Sequence, residues 1–292
     1  MANQSDWDEV RPNVYMLVRS EHVKPAPIIA RSSKPRKTLH RDKPGVRQRT
    51  TGKFASISVV MMTHNRGGLR LRNTLDSLLC HQSYLPKEVV VVDTSTDNDI
   101  ANGNKGIVAL YPNAYWVRKK RSVFSKSWAL NYGIRSCTKC STFLACMDVD
   151  VMLSSGFIKT AIDILRQSKA FLLVDTYLAP RNIDIDPFDN WPVLLRMCTK
   201  AKPRGPGSFQ ACERRWWFNT HGYDERFSGG LGGMDDDIWV RAKKSGLNIV
   251  WIPSDKAQAV HQWHERSPLK GRTSHLFSHD PKVVVNPNGW GK

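Results

Sequence analysis

Two runs with apolar residues at nearly every position constrain this chain more than any other feature: residues 57–62 (ISVVMM) and Glu88–Asp93 (EVVVVD). Such strands need cover on both faces, as in a sheet sandwiched between helices. Between them Leu71, Leu75, Leu78 and Leu79 share one helical face, which completes a β-α-β unit. The rhythm continues. Ala114–Arg118 predicts a third strand, 125–136 a helix, and Phe143–Asp148 (FLACMD) a further strand. Phe157, Ile158, Ala161, Ile162 and Leu165 line another helix, followed by a strand over 170–175. Residues 208–213 and Asn248–Ile252 predict two more strands. The stretch 235–244 reads as a helix opened by carboxylates and closed by Lys243 and Lys244, with Gly246 as its C-cap. The expected fold is α/β, a Rossmann-like three-layer α/β/α sandwich with a mostly parallel central sheet.

Composition bounds the rest. With 292 residues, ten Trp, ten Phe and seven Tyr, the chain can build a sizeable core, which excludes disorder throughout. No run approaches the roughly 18 apolar residues of a membrane span, and the first ten residues carry no apolar signal core. Six Cys in a chain this long do not make a disulfide scaffold, so a reducing, cytoplasmic setting is expected. The formal charge is +18. Residues 19–53 alone hold eleven Lys/Arg against Glu21 and Asp42, broken by Pro25, Pro27, Pro35 and Pro44. Residues 1–53 therefore read as a basic, extended arm: a solubilising tail, or an arm that binds a polyanion. Residues 54–266 form the domain, with 54–150 as a nucleotide-binding half and 151–266 as an acceptor and catalytic half. Residues 176–207 break the rhythm with Pro180, Pro187, Pro192, Pro203 and Pro206, and add Arg181, Arg196, Lys200, Lys202 and Arg204. They read as a long basic loop. Residues 267–292 read as a polar C-terminal tail.

Three acidic features end strands or open a helix, where α/β sheets bind ligands. They are Asp93, Asp148-Val149-Asp150, and Asp235-Asp236-Asp237 after Gly232-Gly233-Met234. Any one alone is readily an N-cap or a solvated loop residue; three in this order on this architecture point to chemistry. An Asp-x-Asp after a buried strand can hold a hard divalent cation against a diphosphate. A carboxylate at a helix N-terminus is favoured in its ionised form and can accept a proton from a hydroxyl. Together these groups suit group transfer from a nucleoside diphosphate to an alcohol, or to water in a hydrolase.

The segments ISVVMMTHNR and LDSLLCHQSYLPKEVVVVDTSTDN resemble the opening of family-2 glycosyltransferases of GT-A fold. FNTHGYDERFSGGLGGMDDDIWVRAKKSG is similar to the core of the β-1,4-galactosyltransferases, and MDVDVML resembles their metal-binding segment. The resemblance implies that Thr63, Asn65 and Arg66 contact the nucleotide and that Asp93 recognises the base. It makes Asp148 and Asp150 the Asp-x-Asp, with Asp150 on the metal, and Gly232 and Gly233 a close approach to the donor. Asp235 becomes the base of an inverting transfer through an oxocarbenium-like centre, and Asp236 the neighbour that holds the acceptor. Val260-His261-Gln262-Trp263-His264 resembles the family's Met-x-x-His, which makes His264 and His261 further metal ligands; two surface histidines are the plainer alternative. A carboxylate with two imidazoles suits manganese, with magnesium the other candidate. Met234 stands where the galactosyltransferases carry Glu, and Leu231 where they carry Trp, which points away from N-acetylglucosamine as acceptor.

Weaker signals read as packing. Cys137-Thr-Lys-Cys140 lacks a second pair for zinc, and Trp216-Trp217, Trp239 and Trp251 belong to the core. Trp191 and Trp263, with Arg204, are the acceptor-binding candidates, since both rings fall in or beside irregular segments. Asp97, Arg118 and Lys126 have no spacing that assigns them a role. The expectation is a metal-dependent glycosyltransferase with a nucleotide-sugar donor, UDP-linked, and a polyanionic acceptor. A hydroxymethylated base in DNA heads the acceptors, as in bacteriophage DNA-modifying enzymes, with DNA held by the arm and loop and the base flipped out. A glycan, lipid or protein acceptor, and a non-catalytic nucleic-acid or sugar-nucleotide binding module, remain as alternatives.

Overall fold

The computed structural model describes residues 55–138, 141–183, 186–202, 205–265 and 272–292, all within one compact unit, Gly52–Lys292. The basic arm, Cys140 and Arg204 lie outside the described residues. In chain order the elements are β1 (Ile57–Thr63), α1 (Leu69–Leu79), β2 (Glu88–Asp93), α2 (Asn98–Val108), β3 (Ala114–Arg118) and α3 (Lys126–Ser136). Next come β4 (Phe143–Asp148), β5 (Val151–Leu153), α4 (Phe157–Gln167), β6 (Ala170–Val174) and β7 (Thr176–Leu178). The remainder are α5 (Trp191–Met197), β8 (Thr199–Lys200), β9 (Phe209–Glu213), α6 (Arg214–Asn219), α7 (Met234–Lys244), β10 (Asn248–Ile252) and β11 (Ala259–His261).

The main sheet has the order β10-β6-β9-β4-β1-β2-β3, parallel except for β9. Every residue of β1 and β2 is buried, as their continuous apolar runs require. The period of two sorts them. Ile57, Val59 and Met61 meet α1 and α4 on one face; Val60 and Met62 meet α3, α6 and α7 on the other. This is the expected three-layer sandwich.

Strand order places the site. Chain order runs outward from β1 to β2 on one side, whereas β4 joins β1 on the other, so the sheet has its switch point between β1 and β4. In register, Thr63 pairs with Asp93 and Met62 with Asp148, so three strand ends open at one rim. β9 runs backward, and its first residue, Phe209, faces Met147. That reversal delivers the turn 206–208 to the same rim. A second sheet, β5-β11-β7-β8, pairs His261 with Val151 and so sets β11 beside Asp150.

Three segments differ from expectation. Residues 176–207, read as one loop, contain β7, α5 and β8; Pro192 sits in the first turn of α5, where no amide hydrogen is required of it. The helix α2 was not expected. Gly103 and Gly106 dilute its signal, and its start rests on Asp97, which accepts from the amides of Asp99 (2.8 Å) and Ile100 (3.1 Å). The described part of the C-terminal segment, 272–292, lies on the core: Trp290 is buried and the Trp128 indole donates to the Lys292 carbonyl at 3.0 Å.

Candidate active site

A cleft of about 380 Å³ opens at the switch point, walled by Met62–Arg66, Phe124, Lys126, Asp148–Asp150, Leu231, His261 and His264. The loop after β1 is fixed before any ligand arrives. Thr63 donates its hydroxyl to the Arg66 carbonyl at 2.7 Å, and Asn65, at φ 49°, accepts from the amides of Thr96 and Asp97. Thr63, Asn65 and Arg66 thus stand together on the cleft wall.

The metal-ligating group is compact. Asp150, His261 and His264 each offer a ligand atom, all within 4.8 Å of one another. Asp150 lies 3.2 Å from His264 Nε2 and 3.5 Å from His261 Nε2. The β5–β11 pairing, extended by the Gln262 amide donating to the Asp150 carbonyl at 2.8 Å, brings these distant segments together. Burial penalises the Asp150 carboxylate, but the His264 hydrogen bond and the charges of His261 and His264 outweigh it and lower its pKa. His264 is raised above its ordinary value, first by its bond to Asp150, against burial. One oxygen and two nitrogens form a donor set that fits a first-row divalent ion.

Lys126 binds the rest of the site together. Its ammonium lies 2.7 Å from Asp148 and 3.2 Å from both oxygens of Asp235. Burial works against its charge, yet the two carboxylates raise its pKa. Burial pushes the Asp148 carboxyl above the ordinary range; Lys126 opposes this, and Asp235 and Asp150 reinforce it. With both imidazoles neutral, as ligation requires, one ammonium stands among three carboxylates, a deficit of positive charge that a divalent ion on Asp150 would fill.

Asp235 stands in the first turn of α7, behind Gly233 at φ 83°. A β-carbon on Gly233 would come within 2.8 Å of the Phe227 ring, so only glycine fits that turn. The helix is locked from below. Arg241, fully buried, bonds Asp237 at 2.7 Å, the Gly222 carbonyl at 2.7 Å and the Val283 carbonyl at 3.1 Å. The backbone carbonyl of Asp235 accepts from Gln210 on β9 at 3.2 Å.

Other expected residues stand elsewhere. Asp93 is fully buried, and its oxygens accept from the Ser95 amide, Asn104, Trp116 and Arg118, which occupies a carboxylate's acceptor capacity. It braces the rim and does not line the cleft. Gly232 and Gly233 shape the turn after Leu231, which alone of the three reaches the cleft wall. Asp236 is exposed and accepts from the Trp239 indole at 3.3 Å. Trp191 packs on the small sheet and donates to Gln258 at 3.2 Å, so it is engaged in packing and is not brought to the cleft. Trp263 lines a neighbouring groove, beneath the Arg181 guanidinium at 4.8 Å. Lys126 and Phe124 had no sequence signal, because their partners are set by tertiary contacts; Lys126 and Asp235 are 109 residues apart.

Residues 58–239 match the family described as Glycosyl transferase family 2. No curated protein matches this chain. Among solved structures it is similar to one described as "Crystal structure of GalNAc-T7 with UDP, GalNAc and Mn2+", at 15% identity and a TM-score of 0.52. The match covers 73% of this chain and 44% of that one, so it spans less than half of the longer chain, and it shows a shared fold.

Proposed function

Because the chain belongs to glycosyl transferase family 2, we propose that it moves a sugar from a nucleoside diphosphate, UDP first, to a hydroxyl acceptor with inversion and with a divalent metal. The observation that carries this reading is one cleft lined by Asp150, His261 and His264 together with Lys126 and Asp148, to which Asp235 is tied by the Lys126 ammonium. The similar fold binds UDP and Mn2+ in its own crystal, which supports manganese here, with magnesium as substitute. Held by Asp150, His261 and His264, the ion would neutralise the donor diphosphate and ease its departure.

The chain's own residues supply the rest. Thr63, Asn65 and Arg66 receive the nucleotide, and Lys126 keeps Asp148 and Asp235 in place beside the sugar. Asp235 accepts the proton of the acceptor hydroxyl as its oxygen bonds the anomeric carbon, and the bond from that carbon to the diphosphate breaks on the opposite face. Asp236, exposed beside it, meets the acceptor.

For the acceptor, the +18 charge supports a polyanion, and we assign a hydroxymethylated base in duplex DNA as the substrate to test. Incubation with UDP-sugars, manganese and hydroxymethylated duplex should add one sugar mass to the base, with the anomeric configuration inverted by NMR. Release of UDP with no mass on the DNA overturns the acceptor; a retained configuration overturns Asp235 as an inverting base.

A further inference from the structure

We infer that the outer face of α3 and the segment leading into it form a seat for a nucleic-acid strand, built from Lys119, Lys120, Arg121 and Arg135. Three of the four cations lie on aromatic faces. Arg121 sits 4.1 Å above Trp128, Lys119 4.7 Å above Tyr132, and Arg135 5.5 Å from the Trp290 ring. Such contacts hold a cation in place while its N–H edge stays outward, so little freedom is lost on meeting a phosphate. Among the described residues none of these four pairs with a carboxylate, in contrast to Arg118, Lys126 and Lys200.

The spacing favours a strand. Residues 128, 132 and 135 share one helical face and span about 10 Å of axis, a stripe long enough to follow a strand over about two neighbouring phosphates. Trp128 and Trp290 are buried, so their rings do not project for insertion into a bilayer. The stripe also leads to the chemistry. Lys119 and Arg121 are tied by their amides to the carbonyls of Asp93 and Thr94 at the cleft rim, and the chain then runs through Phe124 to Lys126. The seat rests on the reading of DNA as acceptor only for its purpose; binding and transfer are separate measurements.

The test is fluorescence anisotropy of a labelled duplex carrying hydroxymethylcytosine, titrated at several salt concentrations. The quadruple variant Lys119→Gln, Lys120→Gln, Arg121→Gln, Arg135→Gln should weaken binding at least about tenfold and flatten the slope of log K against log salt by about two to four. Lys120→Glu, which touches no ring, should weaken binding in the same direction. Manganese-supported UDP binding, read by calorimetry, should be unchanged in both and so show an intact fold. Unchanged affinity and slope in both variants overturn the seat, as does binding confined to phosphatidylserine vesicles. Duplex binding lost in the variants without sugar ever reaching the wild-type duplex keeps the seat and rejects DNA as acceptor.

Discussion

The Lys126 ammonium contacts both oxygens of Asp235 at 3.2 Å while it holds Asp148 at 2.7 Å, so one cation ties Asp235 to a carboxylate of the cleft wall. Its positive charge also acts on Asp150, and so opposes a cation there. Lys126→Gln should therefore bind Mn2+ a few-fold more tightly by calorimetry, yet lose about tenfold or more in transfer as Asp235 drifts. Weaker Mn2+ binding would make the lysine a support of the metal group instead.

Asp235→Asn removes the proton acceptor and leaves shape and donor contacts in place. Transfer should fall about a thousandfold, with UDP affinity within about twofold of wild type. A stopped assay with radiolabelled donor sugar reads the first quantity and calorimetry the second.

Gly207 offers a subtler probe. A β-carbon there would stand 2.6 Å from Asp235 Oδ2, so Gly207→Ala must displace the carboxylate. The expected result is a drop in kcat of about tenfold or more, with Tm and Mn2+ affinity near wild type. An unchanged kcat would mean that the position of this carboxylate does not govern transfer.

Metal loading should depend on pH in a defined direction. His264 holds its proton to higher pH than an ordinary histidine, and a proton excludes the metal from that nitrogen. Mn2+ affinity should therefore fall as pH drops through the raised His264 pKa, a midpoint above 6.5. In His264→Ala the affinity should be weaker, with this step missing. In the metal-free protein the sign for stability is opposite: the raised pKa contributes stability below the unfolded value, which is lost as pH rises through the folded one.

The buried pair under α7 governs stability. Arg241→Met strands the Asp237 carboxylate, which is nearly as buried as its partner, and should cost about 3–5 kcal/mol in urea unfolding. Adding Asp237→Asn should recover part of that loss, because the uncompensated charge is then gone.

The sandwich was legible because its signals are local. The runs in β1 and β2 and the leucine face of α1 state their burial within a dozen residues. The Asp150 carboxylate and the pair His261 and His264 were visible as types and spacings, though only the β5–β11 pairing shows that they converge. Lys126 was silent, since a lysine after a helix cap looks like any solvated lysine until Asp148 arrives from the end of β4 and Asp235 from the start of α7. Trp191 misled for the converse reason: an irregular stretch rich in proline hid α5 and the small sheet on which its ring packs. Asp93 shows a third limit, because a carboxylate at a strand end reads alike whether it faces a ligand or, as here, Asn104, Trp116 and Arg118.

The most direct test is UDP release from a panel of UDP-sugars, with and without Mn2+, for the wild type and Asp235→Asn, in the presence of hydroxymethylated duplex DNA. The account predicts release from the wild type that needs the metal and the duplex and is lost in the variant. Release at the wild-type rate from Asp235→Asn, or release that ignores Mn2+, would contradict it.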